Sequence, residues 1–152
     1  MKYRDGFLYQ LAEEMVIETD LRPKEDIHTE FIHLYTTGRF CLESGFACDG
    51  PSGPIKMIAE KIGLIPFVGK WLKKKYLKTI MTPSFFHDGG YKLIRMEKLP
   101  PEWRVKFDDL LVKMCNDRKM NKTRQKWVYA GVRKGAGYAA DPDNAKEIFV
   151  VE

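Results

Sequence analysis

Apolar and polar residues alternate in the first third of the chain, which is the spacing of a half-buried β-strand. Over residues 7–21 this alternation predicts two short strands with a break at residues 12–14. Residues 30–43 are predicted to form a β-hairpin, because two β-prone runs flank a Thr-Thr-Gly turn at residues 36–38. The N-terminal part is therefore expected to build a small antiparallel sheet.

A helical spacing of apolar residues replaces the alternation from residue 55 onward. In the last of the predicted helices, Trp127, Val128 and Val132 are expected to face inward. The predicted helices cover residues 55–65, residues 70–78, a stretch that begins near residues 82–84, residues 102–116 and residues 122–133.

Strands followed by helices are typical of the α+β class. A chain of 152 residues is expected to form a single domain. Two antiparallel helices of its core are expected to carry a His-Asp pair and a further aspartate. Residues 1–48 are predicted to be mainly β. Residues 55–135 are predicted to be mainly α, with a core of three to four helices. Residues 136–152 are predicted to be a tail with a last short strand at residues 148–151.

The composition is that of an ordinary globular protein, with 44% hydrophobic and 31% charged residues. A net charge of +5 allows binding to an anionic surface but does not require it. The cysteines Cys41, Cys48 and Cys115 lack Cys-x-x-Cys spacing, which favours buried thiols over a disulfide framework or a zinc site. Since the chain opens without a signal-like segment and has no run of 18 apolar residues, we expect synthesis in a cytoplasm.

The strongest candidate chemistry is a His-Asp pair, His87-Asp88, with Tyr91 four residues after the histidine. In a helix, His87 and Tyr91 lie one turn apart on the same face, whereas Asp88 points about 100° away. Histidine transfers protons near neutral pH, and a carboxylate is a ligand for hard cations. This spacing suits a site in which one side chain handles a proton and its neighbour holds a cation.

The start of this helix and its glycines are both unusual. Thr82 and Ser84 are candidate caps on either side of Pro83, which predicts that the helix begins there. Gly89-Gly90 costs a helix about 1–2 kcal/mol. We therefore expect tight packing at these glycines, or the close approach of a substrate or of another backbone segment.

Two neighbouring aspartates in the helix at residues 102–116 are candidates to pair with His87. Asp108 lies at the edge of the apolar stripe, where a carboxylate is unfavourable unless it has a partner. Asp109 lies on a more exposed arc. An antiparallel pair of helices would place Asp108 beside His87 and would fix the tautomer of the imidazole. The sequence leaves open which of the two aspartates is used.

Residues 45–54 contain three glycines and two prolines, a composition that predicts a loop. Glycine-rich backbone exposes carbonyl oxygens, and hard cations such as calcium bind carbonyl and carboxylate oxygens. An ordinary connection between a strand and a helix is the alternative. The candidate metal-binding residues are Asp88, Asp49, Gly50 and Gly53.

A lysine-rich segment precedes the His-Asp pair, with five lysines interleaved with aromatic and aliphatic residues at residues 70–78. Basic residues beside aromatic ones are typical of contact with a membrane interface. A solvated helix face above a buried stripe is the alternative. The candidates for contact with a membrane or another anionic surface are Lys70, Trp71, Lys73, Lys74 and Lys75.

Over residues 30–140 the chain resembles a family of uncharacterised small proteins from tailed phages. The resemblance rests on the Gly-Phe-x-x-Asp-Gly-x-Ser-x-Pro pattern of residues 45–54, on His-Asp-x-x-Tyr at residues 87–91, and on the helical Asp108 or Asp109. It implies a phage setting and no established activity. A phage protein is expected to be made in the host cytoplasm, and association with the virion is one expectation for it.

The His-Asp-x-x-Tyr motif after a glycine-rich loop and before a helical aspartate also resembles phospholipase A2, in the disulfide-free form of parvovirus capsid proteins. The resemblance implies that His87 is the general base and that Tyr91 supports it. It implies that Asp108 or Asp109 orients the histidine. It further implies that Asp88 and the carbonyls of residues 50–53 bind calcium. A lipolytic ester hydrolase is therefore one functional hypothesis.

The sequence supports alternatives from other classes. The protein could be a non-enzymatic virion or tail component, or a binder of a host protein, in which the His-Asp cluster is structural. A metal phosphohydrolase would use two of the ligating side chains His33, His87, Asp88 and Asp108. Specific nucleic-acid binding is not predicted, because the basic segments come without a base-reading motif.

Overall fold

The computed structural model of the protein describes residues 2–3, 9–49, 68–135, 137–144 and 149–150, with the side chains of residues 9–49, 78–135 and 137–144. The strands are β1 (Lys2–Tyr3), β2 (Tyr9–Gln10), β3 (Met15–Glu18), β4 (Ile27–His28), β5 (Ile32–Leu34), β6 (Arg39–Leu42), β7 (Ala47–Cys48) and β8 (Phe149–Val150). The helices are α1 (Val68–Arg95), α2 (Trp103–Asp117), α3 (Lys122–Gly135), α4 (Gly137–Ala140) and a 3-10 turn at Pro142–Asn144.

The predicted α+β fold is confirmed, since a small antiparallel sheet precedes the helices. Four strands pair in the order β3-β6-β5-β4, and β5 and β6 form the predicted hairpin. Its turn includes Gly38, whose φ of +91° lies in the left-handed region that favours glycine. The predicted strands on either side of residues 12–14 are also present, as β2 and β3.

Two short strand pairs lie outside this sheet. Strand β2 pairs with β7, so residues 47–48 are a strand inside the segment that composition predicted as a loop. Strand β1 pairs with β8, which places the predicted last strand against the N-terminus. The helix predicted at residues 55–65 lies outside the described residues.

The core lies between one face of the sheet and the helices α1 and α2. Phe40 of β6 packs against Phe86 of α1, with ring centroids 5.2 Å apart, and against Phe107 of α2 at 6.0 Å. A second apolar cluster joins α1, α2 and α3. Its members are Ile80, Leu111, Cys115, Met120 and Val128.

Helix α1 runs without interruption through Pro83, so the helix start predicted at residues 82–84 is wrong. Ser84 does not cap the helix, and its hydroxyl donates to the carbonyl of Ile80 one turn earlier. Ile80 and Phe86, on either side of the proline, are both buried in the core. Burial of apolar residues on both sides therefore outweighs the local preference of proline for a first turn.

The two glycines of α1 are sites of close packing. A Cβ at Gly90 would lie 2.3 Å from the ring of Phe107, and a Cβ at Gly89 would lie 2.8 Å from Leu42 Cδ2. Gly90 therefore lets α2 approach α1, and Gly89 lets the sheet approach α1. Of the two explanations for these glycines, the structure shows tight packing.

Helix α3 presents a different face to the core than predicted. Val128 is buried and Val132 is partly buried, as expected, but Trp127 is 73% exposed. Cys41, Cys48 and Cys115 are buried, as predicted. None of the helices within residues 68–135 and 137–144 is both long enough and apolar enough to cross a membrane.

Candidate active site

The packing of α1 on α2 brings a histidine, a tyrosine and an aspartate together. His87 Nε2 lies 2.8 Å from Asp108 Oδ1, and the Tyr91 hydroxyl donates to the same oxygen at 2.7 Å. His87 and Tyr91 are one turn apart on α1, and their rings lie 4.2 Å apart between centroids. Helical spacing thus places both donors on one face of α1, and the packing of α2 brings one carboxylate oxygen within reach of both.

Asp108 is fully buried, and both of its oxygens accept hydrogen bonds. Its second oxygen, Oδ2, accepts from Arg133 Nη1 at 2.9 Å, so α3 also contributes to the site. A buried carboxylate is tolerated only when it is paired and hydrogen-bonded. Donors from α1 and α3 meet this requirement for Asp108.

A second arginine holds the tyrosine. Arg104 Nε donates to the Tyr91 hydroxyl at 3.2 Å, and Arg104 Nη2 donates to the carbonyl of Arg133 at 3.1 Å. Carbonyls at the end of a helix have no partner within the helix, and a cationic side chain can satisfy them. Arg104 therefore links the end of α3 to the tyrosine that contacts Asp108.

The hydrogen bonds shift the ionisation of this group away from ordinary values. Burial by itself would raise the pKa of Asp108, but donation from His87, Tyr91 and Arg133 outweighs it and holds that pKa below 3.8. Burial by itself would lower the pKa of His87, but hydrogen bonds to Asp108 and Asp88 raise it above 6.5. The pKa of Tyr91 is raised, by burial first and by its bond to Asp108 second.

These ionisation states determine which nitrogen of His87 is available. Because Asp108 is an acceptor, neutral His87 carries its proton on Nε2 and has its lone pair on Nδ1. Nδ1 lies 3.7 Å from Asp88 Oδ1, and the Asp88 side chain is 28% exposed, compared with 6% for His87. Nδ1 of His87 therefore faces Asp88, and this is the nitrogen that can accept a proton.

Not every predicted site residue lies at this cluster. Asp109 is exposed and points away from His87, so the structure pairs Asp108 with the histidine. Asp49 is half-buried at the end of β7. Gly50 and Gly53 lie outside the described residues. So do the side chains of the predicted surface contacts Lys70, Trp71, Lys73, Lys74 and Lys75, whose backbone lies in α1.

Metal ligation by the described residues is limited. Within the described ranges, no group of three or more His, Cys, Asp or Glu side chains is arranged to hold a metal ion. His33, which a phosphohydrolase would have used, instead contacts His28 and Glu43 on the sheet. The described residues therefore provide Asp88 as a single accessible carboxylate beside His87.

Sequence reasoning missed the two arginines. Arg133 was part of a basic run that predicts only a charged surface, and no motif links it to Asp108. Arg104 is four residues before Asp108 on α2, a spacing that places the two side chains on one helix face. That spacing was the available signal for Arg104. No such signal exists for Arg133, because its contact crosses from α3 to α2.

Comparison of the chain with protein-family models, with curated proteins and with solved structures found no match in any of the three.

Proposed function

We propose that the protein is a hydrolase that uses a His87–Asp108 pair to activate water. The supporting observation is the 2.8 Å contact between His87 Nε2 and the fully buried carboxylate of Asp108. A carboxylate in this position fixes the imidazole tautomer and stabilises the imidazolium that forms when the base takes a proton. Within this class we propose a phospholipase A2-like ester hydrolase of phage origin.

The proposed reaction uses Nδ1 of His87 as the base. A water molecule gives a proton to Nδ1 while its oxygen attacks the ester carbonyl carbon, and the imidazolium then gives that proton to the departing alkoxide. Water and ester are consumed, and a carboxylic acid and an alcohol are formed. Asp108 remains ionised throughout, because its lowered pKa keeps it an acceptor. Tyr91 and Arg133 hold the carboxylate in place.

Calcium fits Asp88, the accessible carboxylate that the described residues place beside His87. Asp88 supplies a hard oxygen ligand beside Nδ1, and residues 49–53, for which the composition predicts a loop, are the proposed source of carbonyl ligands. Bound calcium would polarise the ester carbonyl. His87 and Asp108 perform the proton transfer without calcium. An assay with a chelator therefore separates their contribution to the rate from that of calcium.

A membrane surface is the proposed location of the substrate. Helix α3 carries three exposed residues, Lys126, Trp127 and Lys134, on the side that turns away from the buried Val128. Lysines attract anionic lipid headgroups, and an exposed tryptophan inserts at the interface. Residues 122–135 contain five Lys and Arg residues and no Asp or Glu. This charge complementarity supports an anionic phospholipid surface as the partner.

Replacement of His87 with glutamine tests the proposed activity. Glutamine keeps a donor for Asp108 but cannot accept a proton from water, so the rate of phospholipid hydrolysis should fall about 10²–10⁴-fold. The assay measures fatty-acid release from phosphatidylglycerol vesicles with calcium and with chelator. The matched control is H28Q, which changes an exposed histidine on the sheet and should retain the wild-type rate.

Retained turnover in a folded H87Q protein would contradict the proposal. So would the absence of hydrolysis by the wild-type protein on every vesicle composition. Thermal unfolding of each variant shows whether lost turnover reflects lost folding.

Binding to vesicles should depend on α3. The double variant K126A/W127A should bind phosphatidylglycerol vesicles about tenfold more weakly, because it removes one cation and one interfacial ring. Cosedimentation measures the bound fraction. The control K24A removes an exposed lysine between β3 and β4 and should leave binding unchanged. Equal losses in both variants would show that net charge, and not this face of α3, drives binding.

A second candidate is a non-enzymatic virion component or host-binding protein in which the same cluster is structural. The observation that favours it is the link between three helices. Asp108 on α2 bonds to His87 and Tyr91 on α1 and to Arg133 on α3. Such a network stabilises the packing of the helices whether or not water is activated. The absence of turnover together with a destabilised H87Q variant would favour this function.

A further inference from the structure

Two histidines face each other on the sheet, away from the proposed hydrolase site. His28 of β4 and His33 of β5 are directly opposite in the antiparallel register. Their Nδ1 atoms lie 3.1 Å apart, and their ring centroids lie 5.1 Å apart. Directly opposite residues project to the same face of a sheet, and the neighbouring Leu34 is buried on the other face. The histidine pair is therefore on the outer side of the sheet.

A carboxylate determines the tautomer of one ring. His33 Nε2 lies 3.3 Å from Glu43 Oε1, so Nε2 carries the proton and Nδ1 of His33 presents a lone pair. Metal-bound histidines typically donate their other ring nitrogen to a carboxylate in this way, which raises the basicity of the ligating nitrogen. His33 thus has the orientation of a metal ligand.

The second ring is held by its neighbours. His28 packs edge-on against Tyr35, with centroids 5.2 Å apart. Without metal, His28 donates its Nδ1 proton to the lone pair of His33. When that proton moves to Nε2 of His28, the two Nδ1 atoms, 3.1 Å apart, both have a free lone pair, with no net release of a proton.

We propose that His28 and His33 chelate a divalent transition-metal ion through their Nδ1 atoms. With metal–nitrogen bonds of about 2.0–2.1 Å, the 3.1 Å separation corresponds to an angle of about 98° at the metal. This angle lies between the cis angle of a square-planar or octahedral centre and the tetrahedral angle. Imidazole nitrogens in these geometries suit copper, nickel and zinc, with copper bound most tightly.

The protein supplies two ligands to this site, and solvent fills the remaining positions. This agrees with the finding that no three His, Cys, Asp or Glu side chains within the described ranges converge on one point. The site is independent of His87, whose Nε2 is bonded to Asp108 on the other side of the core. Success or failure of the hydrolase proposal therefore leaves this inference unchanged.

Titration with Zn²⁺ and Cu²⁺ tests the site, with Mg²⁺ as the negative control. Calorimetry of H28Q and H33Q should show at least a tenfold loss of affinity for Zn²⁺, because each variant removes one of the two ligands. E43Q should weaken binding about tenfold through the orientation of His33. Glu14, an exposed carboxylate between β2 and β3, provides the control variant E14Q, which should bind Zn²⁺ as the wild type does.

Nitrogen NMR of the wild-type protein identifies the metal-binding histidines without any variant, so this test does not depend on whether the variants fold. The chain has three histidines, and Zn²⁺ should shift the Nδ1 resonances of two of them and leave His87 unchanged. The inference is overturned by a perturbation that includes His87 and omits His28, by equal Zn²⁺ affinity in H28Q and wild type, or by the absence of Zn²⁺ binding at millimolar concentration.

Discussion

The variant D108A is expected to lower the free energy of unfolding by about 3 kcal/mol, the cost of removing one partner from a buried ion pair. Asp108 accepts hydrogen bonds from His87, Tyr91 and Arg133, and all of these donors lose their acceptor in the variant. Urea or thermal unfolding measures the change. The matched control is D109A, which removes the adjacent exposed aspartate and should change stability by no more than about 0.5 kcal/mol.

The loss of stability caused by D108A should become smaller as the pH rises above neutrality. The raised pKa of His87 means that its contribution to stability is complete below about 6.5 and is lost as pH rises through the higher folded-state value. The lowered pKa of Asp108 means that its contribution is complete above about 3.8 and is lost as pH falls below that value. The destabilisation should therefore be largest between these two values and smaller at pH 9.

The raised pKa of His87 also governs the proposed activity, because a histidine must be neutral to act as a general base. With the pKa of His87 above 6.5, the rate should rise with pH along a limb whose midpoint lies above 6.5. In D108N the carboxylate that raises this pKa is gone, so the limb should move to lower pH and the maximal rate should fall. An unchanged midpoint in D108N would contradict the assignment of Asp108 to His87.

The variant G90A is expected to destabilise the protein by about 1–3 kcal/mol, although alanine is the better helix former. The new methyl group would lie 2.3 Å from the ring of Phe107, which is fully buried and packed against Phe40 and Trp103. Because the ring lies between Phe40 and Trp103, either the ring or the two helices α1 and α2 must shift to make room for the methyl group. Equilibrium unfolding in urea measures the loss.

A glycine in α3 provides the control for the helix-forming tendency of alanine. A Cβ at Gly131 would meet no heavy atom of the described residues within 4 Å. G131A should therefore stabilise the protein by about 0.5–1 kcal/mol. If G90A were stabilising by the same amount, the close approach of α1 to Phe107 would be refuted.

Much of the architecture was predictable because its signals are local. Alternation and the Thr-Thr-Gly turn predicted the hairpin of β5 and β6, and helical periodicity predicted α2 and α3 within a few residues. The His-Asp-x-x-Tyr spacing predicted that His87 and Tyr91 share a face. These features depend on residues at most a few positions apart, so local sequence patterns are enough to predict them.

The errors arose where distant contacts override local preference. Pro83 and Ser84 carry the pattern of a helix start, yet α1 continues through them because apolar residues on both sides enter the same core. Trp127 was expected inward on hydrophobicity alone. The arc of α3 that faces the core is set by Val128, one residue on, so Trp127 lies at the surface.

By itself the sequence determined the α+β class, the burial of the cysteines and the presence of His87, Tyr91 and an aspartate at spacings that permit a polar cluster. Only the tertiary structure decided between Asp108 and Asp109 and added Arg133 as a partner from a third helix. The physical reason is that the aspartates differ by one residue, or about 100° of helix rotation. Which of them is buried depends on how α1 and α3 pack on α2, and the close approach at Gly90 sets part of that packing.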